Sequence, residues 1–315
     1  MTTRRDDRSL AALLLTDRLV DGEAEPLSPG EFWSLLDRID DPSRLLGLDA
    51  EATAERIAGT KLGAERIQRL LGRATALAFE LERRERSGLH VLSPFDEGYP
   101  ARLRDRLGAA APAVLYAVGS LELMQQDGLG IVGSRDVSPA GAEAARTAAT
   151  AAAERSLPVV SGRAKGVDQI AMSAAIEAGG TVVGILADSL DRRLKDPDMR
   201  RAVSEGSVCL VTPYKPDLGF SVANAMGRNK LIYALSQVTL VVASDLGRGG
   251  TWEGATEALR RGYGAVAVWS GEGAGPGNDA LVERGGSPIR AIQEIFDAWA
   301  DMASEAANFE QLRLA

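Results

Sequence analysis

The sequence predicts an α/β protein, a doubly wound and mainly parallel sheet placed behind an all-helical N-terminal domain. Three observations carry this reading. Up to about residue 86 the apolar residues recur at three- and four-residue spacing with no β-branched runs, the mark of amphipathic helices. After Leu89 short β-type runs alternate with helical stretches, and that alternation implies right-handed βαβ crossovers between parallel strands. The chain has 315 residues, more than the ~100–200 of a typical single domain. The boundaries that follow are 1–88 for the helical domain, 89–290 for the sheet domain and 291–315 for a C-terminal helix and tail.

In the helical part, Ser28-Pro29 ahead of Glu31, and Asp41-Pro42, signal helix starts. A last helix over 63–87 carries Ile67, Leu70, Leu71, Ala74, Leu77 and Leu81 on one face. Strands are expected at 130–133, 158–161, 181–187, 207–212, 239–244 and 265–269. Helices are expected at 139–155, 167–178, 197–205, 221–236 and 251–261, with one more starting at Pro288 and running to about 303. Ligands of such sheets bind beyond the carboxyl ends of the strands, so each loop that follows a strand is a candidate.

Composition narrows the chemistry. Apolar residues make up 45% and charged residues 25% of the chain, ordinary for a globular protein. Cys209, flanked by Val208 and Leu210, reads as a buried strand thiol. With His90 the one histidine, zinc clusters, haem motifs and imidazole triads are excluded, and no metal or cofactor is expected. The apolar run from Leu10 to Leu15 stops at Asp17, too short for a signal peptide or a membrane span, so a cytoplasmic, membrane-free protein is expected. The net charge of −8 is distributed as −3 over 1–90, −1 over 91–290 and −4 over 291–315. A local basic groove in the middle segment stays open.

Four stretches could carry chemistry. Gly128-Leu-Gly130-Ile-Val-Gly133 matches a dinucleotide fingerprint as a string, but its glycines precede and occupy the first strand of the sheet domain, whereas the fingerprint must follow the strand. The loop after that strand, Gly133-Ser134-Arg135 ahead of Ser138-Pro139, offers amides, a hydroxyl and a guanidinium to a phosphate; Arg135 as a plain surface arginine is the alternative. After the next strand come Ser161, Gly162, Arg163, Lys165, Gly166 and Asp168, where the glycines permit close approach to the main chain. Asp168 either favours a helix dipole or holds a ribose or base edge. Gly249-Gly250-Thr251-Trp252-Glu253 is a glycine-rich loop opening a helix, whose amides can cradle a phosphate. Glu253 is either a capping partner there or a carboxylate aimed at a sugar. Upstream, Arg228-Asn229-Lys230 supplies a guanidinium suited to bidentate phosphate binding.

At these residues the chain resembles the DprA/Smf family of DNA-processing proteins. The resemblance runs over about 90–290 and includes Asp96-Glu-Gly-Tyr99-Pro100, Pro112-Ala-Val-Leu115-Tyr116, Val132-Gly133-Ser134-Arg135, Ser161-Gly162-Arg-Ala-Lys-Gly166-Val-Asp168 and Arg228-Asn229-Lys-Leu-Ile-Tyr-Ala-Leu-Ser236. It implies a Rossmann-like domain that binds single-stranded DNA in the cytoplasm, helps load a recombinase of the RecA type in recombination and natural transformation, and forms a homodimer. Two departures stand out. Met172 replaces the family's usual histidine, and the family's Ser-Gly-Ser loop is replaced by Gly249-Gly250-Thr251-Trp252-Glu253. That loop is similar to the signature of the lysine decarboxylase-like or "lonely guy" phosphoribohydrolases, except that their second glutamate is Gly254 here.

Two functions are therefore open. In the first, Arg135, Arg163, Lys165, Arg228 and Lys230 line a groove that tracks DNA phosphates while bases lie on apolar surface. In the second, the site takes a small nucleotide, with Arg228 as phosphate anchor and Glu253 as the catalytic carboxylate that cleaves an N-glycosidic bond, or with binding alone serving as a sensor.

Overall fold

The computed structural model describes residues 5–297 and 299. In chain order, helices α1 (Asp7–Thr16), α2 (Pro29–Ile39), α3 (Ala50–Arg56), α4 (Ala64–Leu71) and α5 (Ala74–Arg86) precede β1 (Leu89–Leu92), α6 (Ala101–Leu107) and β2 (Leu115–Gly119). Then follow β3 (Gly128–Val132), α7 (Pro139–Glu154), β4 (Val159–Ser161), α8 (Val167–Glu177), β5 (Val182–Ile185), α9 (Leu190–Arg193), α10 (Pro197–Ser204) and β6 (Val208–Thr212). The chain continues through α11 (Val222–Leu235), β7 (Ser236–Val241), α12 (Gly249–Arg261), β8 (Ala265–Trp269), α13 (Asn278–Val282) and β9 (Ser287–Ile289). The described residues form two compact units, one of 5–125, 188–204 and 209–219, the other of 126–187, 205–208 and 220–297.

The first unit contains the helical segment and an antiparallel ribbon, β1 against β2 and β2 against β6. The capping box expected at Ser28 and Glu31 starts α2, and Asp41 caps a 3-10 turn at Pro42. The single helix expected over 63–87 is two helices, α4 and α5, broken at Gly72-Arg73. The break has a tertiary cause. Arg73 donates to the carbonyls of Leu14, Asp17 and Val20, closing the C-terminal end of α1. Next to it Asp17 accepts from the amide of Leu19 (2.6 Å) and the hydroxyl of Tyr116 (3.0 Å). Burial pushes the Asp17 carboxyl above its usual range against these bonds and Arg73.

The second unit is the doubly wound sheet. Its strands are all parallel, in the order β5-β4-β3-β7-β8-β9. Their centres are continuous apolar runs, as parallel strands covered on both faces require. The glycines of the rejected fingerprint are packing residues. A Cβ at Gly130 would crowd Thr239 of β7, and one at Gly133 would meet Val167 of α8 at 2.6 Å. The helix expected from Pro288 begins later, because Ser287–Ile289 pair with β8; residues 293–297 are helical, and the expected continuation to 303 lies outside the described residues apart from Trp299. β1 and β2 had no counterpart in the sequence reading, and they make the pairing antiparallel in the first unit. Cys209 is fully buried in β6, which raises its thiol to about 12. Among the described residues no helix is long and apolar enough to cross a membrane, and no group of three or more His, Cys, Asp or Glu side chains is placed to hold a metal ion.

Candidate functional site

The strand order of the second unit reverses between β3 and β7, so the chain leaves these neighbouring strands in opposite directions and a crevice opens beyond their carboxyl ends. The crevice has a volume of about 630 Å³ and is walled by the loop after β3, one side of α11 from Val222 to Tyr233, and the loop from β7 into α12.

Its floor is a polar network. Ser161 ends β4, fully buried, its Oγ donating to the carbonyl of Ile131 (2.6 Å). At Gly162 a methyl group would overlap the guanidinium of Arg228. Arg228 is 4% exposed and donates from Nη2 to the Gly162 carbonyl (2.6 Å) and from Nη1 to Asn229 Oδ1 (3.0 Å). Asn229 passes the connection on, its Nδ2 donating to the carbonyl of Gly250 (3.0 Å). Asp168, 5% exposed in the first turn of α8, accepts from the amides of Gly162 (3.1 Å) and Ala164 (3.4 Å). Burial raises its pKa; Arg228 and the amides of Ala164, Gly162 and Gly133 oppose the rise. Asp168 therefore does more than face a helix dipole, since it ties the loop after β4 to the helix that follows it.

Two loops are locked together at Gly166, which adopts φ +85° and where a Cβ would meet Arg135 Cα at 2.7 Å. Only glycine combines that backbone with that approach. The amide of Val167 donates to the Ser134 carbonyl (3.2 Å), and the amide of Ser134 donates to Ala243 at the end of β7 (2.8 Å). The Ser134 amide is thus committed within the fold, which removes one of the donors the sequence offered to a phosphate. Arg135 is exposed, its guanidinium 6.0 Å from the ring centre of Phe220.

Helix α12 starts at Gly249 after Arg248, with no side chain capping its first amides. Glu253, the fifth residue of α12 and so beyond its first turn, is exposed and makes no capping bond; among the described residues it accepts no hydrogen bond and meets no cation. The capping alternative is thereby set aside. At Gly254 a Cβ would stand 3.2 Å from the Tyr233 ring.

The crevice brings together Gly133, Ser134, Arg135, Asp168, Arg228, Asn229, Gly249, Gly250, Thr251 and Glu253. Of the remaining expected residues, Ser161, Gly162 and Gly166 build the floor from behind, and Arg163, Lys165 and Lys230 lie outside the lining. Lys230 is half-buried, which lowers its pKa against the pull of Glu257. Asp136 and Met226, which nothing in the sequence singled out, also line the crevice, as do Asp245 and Arg248 at the start of the glycine-rich loop. A second omission is the turn Gly271–Gly277, anchored by Asn278. Buried at 1% exposure, Asn278 donates to the carbonyls of Val242 (3.0 Å) and Trp269 (2.7 Å) and accepts from the amide of Ser244 (2.9 Å). The run of glycines followed by asparagine was the available signal.

Comparison with known proteins supplies the family. The family model described as DNA recombination-mediator protein A matches residues 90–300. A DNA processing protein DprA of Mycobacterium tuberculosis is 28% identical over 289 residues, covering 84% of this chain and 74% of that relative. Protein Smf of Escherichia coli is 28% identical over 218 residues, 68% of this chain and 57% of its own length. The X-ray structure of DNA processing protein A from Streptococcus pneumoniae superposes with a TM-score of 0.71 at 20% identity, over 94% of this chain and 98% of that one. A structure of DNA processing protein A from Helicobacter pylori, described by its single-stranded DNA binding mode, gives 0.54 at 23% identity over 68% and 96%. With the family model covering most of the chain and the sheet topology in agreement, this chain belongs to the DNA recombination-mediator protein A family of DprA/Smf DNA-processing proteins.

Proposed function

We propose that the crevice of the second unit binds single-stranded DNA, tracking phosphates along exposed cations while bases stack on apolar side chains beside them. The observation that carries this reading is the exposed apolar surface of Val222 and Met226 in the crevice lining and of Phe220 beside it. Phe220 is 54% exposed, Val222 67% and Met226 44%, with Arg135 against the Phe220 ring. Large apolar side chains clustered beside a guanidinium suit bases and phosphates without reading sequence. Arg135 and Arg248 at the crevice, with Lys165 exposed on the adjoining loop, supply the contacts to phosphates, and Arg228 organises the floor beneath them. Family membership supports the companion readings, that the chain works as a homodimer and hands its strand to a recombinase of the RecA type.

Fluorescence anisotropy with a labelled oligothymidylate at about 50 and 200 mM salt tests the proposal. Binding that weakens with salt is expected. Phe220→Ala weakens it about tenfold, within the ~1–3 kcal/mol of one base stack, and Arg135→Ala lowers the salt slope by about 0.7, one phosphate contact of a single strand. Salt-independent binding, or unaltered affinity in both variants, defeats the reading.

A further inference from the structure

Six methionines and one cysteine carry the sulfur of this chain, and the fold seals most of it. Cys209 is fully buried in β6, and burial pushes its thiol up to about 12, so the oxidisable thiolate is absent near neutral pH. Met124, Met172 and Met199 are buried. Met226 is 44% exposed, and among the described residues its sulfur is the only one open to solvent.

That sulfur stands in the crevice. Helix α11 turns Val222, Met226 and Asn229 to one side, and all three line the crevice wall. Met226 also lines a smaller hollow of about 200 Å³, together with Glu253, Thr256 and Arg260 of α12. The thioether is thus reachable from two sides by a molecule as small as hydrogen peroxide.

The chemistry is a two-electron oxidation. A sulfur lone pair attacks one peroxide oxygen, the S–O bond forms as the O–O bond breaks, and the departing hydroxide takes the proton of the transferred oxygen and leaves as water. Sulfur is oxidised and the peroxide is reduced. The product sulfoxide is polar where the thioether was apolar, and enzymes specific for each sulfoxide epimer reduce it back. On this helix the change replaces a soft edge suited to the face of a base by an oxygen that holds water and must be desolvated before a base can lie on it.

We propose that Met226 is a reversible oxidation site, at which peroxide converts the thioether to the sulfoxide and so weakens the hold of the crevice on a DNA strand. The consequence for binding rests on the DNA reading; the selectivity of the oxidation rests on the burial of the other sulfurs alone.

The test exposes the full chain to a graded series of hydrogen peroxide concentrations. Peptide mass mapping reads the gain of oxygen at each methionine, and oligothymidylate anisotropy is run on the same samples. Met226 is oxidised ahead of Met124, Met172 and Met199, and affinity falls in step by about fivefold, the low end of what one base contact contributes. Thermal unfolding is unchanged, as expected for a surface side chain. Methionine sulfoxide reductases of both epimer specificities, with a thiol reductant, restore binding. In Met226→Leu, an apolar swap of similar volume, treatment leaves the affinity at its starting value, whatever that value is. Oxidation of Met226 no faster than of the buried methionines, full oxidation without loss of affinity, or an equal loss in Met226→Leu overturns the inference while leaving the DNA reading in place. Untreated protein that binds no oligonucleotide defeats the DNA reading and, with it, the consequence for binding, and the mass map then decides the oxidation site by itself.

Discussion

Gly162→Ala isolates the network under the crevice. The backbone at Gly162 is not in the left-handed region, so alanine is conformationally acceptable and the whole effect comes from space. The added methyl overlaps the Arg228 guanidinium and displaces it from the Gly162 carbonyl and Asn229. Overpacking costs about 1–3 kcal/mol, and a broken hydrogen bond to a charged group about 1.5–3 kcal/mol. Buried Asp168 also loses part of the cation that offsets its desolvation. The two costs add to about 2.5–6 kcal/mol, which corresponds to a fall in Tm of roughly 5–24 °C for a unit of this size, at about 2–4 °C per kcal/mol. Thermal unfolding followed by near-ultraviolet circular dichroism reads it. Gly30→Ala in the first turn of α2, with open space at its Cβ, serves as the control and leaves Tm unchanged or slightly raised. A Gly162→Ala protein that melts with the wild type refutes the claim that Arg228 is held in place by the missing side chain.

Three further outcomes are expected. Glu31 is held down to about 2 by Arg66, so its contribution to stability is full above its unfolded value of 4.5 and is lost as pH falls toward 2. With the carboxylate 37% exposed, the stabilisation is discounted to about 1 kcal/mol; urea unfolding of Glu31→Gln should show that deficit at pH 7 and a shrinking one below pH 4.5, and a constant deficit would contradict the assignment. Asp17 behaves in the opposite sense, because its folded pKa is raised: its contribution is complete below the unfolded value of 3.8 and declines as pH rises through the folded pKa. The stability of the wild type relative to Asp17→Asn should therefore increase from pH 7.5 to pH 5, and a decrease would show that Tyr116 and Arg73 outweigh burial. Asn278→Ala removes a buried side chain with three hydrogen bonds, leaving the Ser244 amide without its acceptor, and should cost about 2–4 kcal/mol in denaturant unfolding; a loss below about 1 kcal/mol would mean that the turn 271–277 is held by other contacts.

Local periodicity was sufficient for most of the second unit. The runs leading to β3, β4, β5, β7 and β8 and the intervening helices lie where alternation of β-branched and helical segments placed them, to within a few residues. The strand-end loops that hold the candidate residues were legible for the same reason, since in a parallel sheet all such loops share one edge. The failures are of another kind. The spacing of Ile67, Leu70, Leu77 and Leu81 continues through Gly72-Arg73, yet the helix breaks there because Arg73 is drawn to carbonyls more than fifty residues away in sequence. Ser287–Ile289 joins β8 although proline at 288 reads as a helix start.

What the sequence by itself determined was therefore the order of elements, the sheet class and the identity of the loops at its edge, all consequences of short-range pattern and chain connectivity. Tertiary structure decided which residues of those loops face outward. Arg228 reads as a phosphate anchor and is instead bonded to Gly162, 66 positions earlier; the amide of Ser134 is taken by Ala243; Glu253, which reads equally well as a cap, is left exposed in the crevice. The physical reason is common to all three. A side chain's chemistry is set by its own atoms, but whether that chemistry is available depends on hydrogen-bond partners that approach only when distant segments pack together.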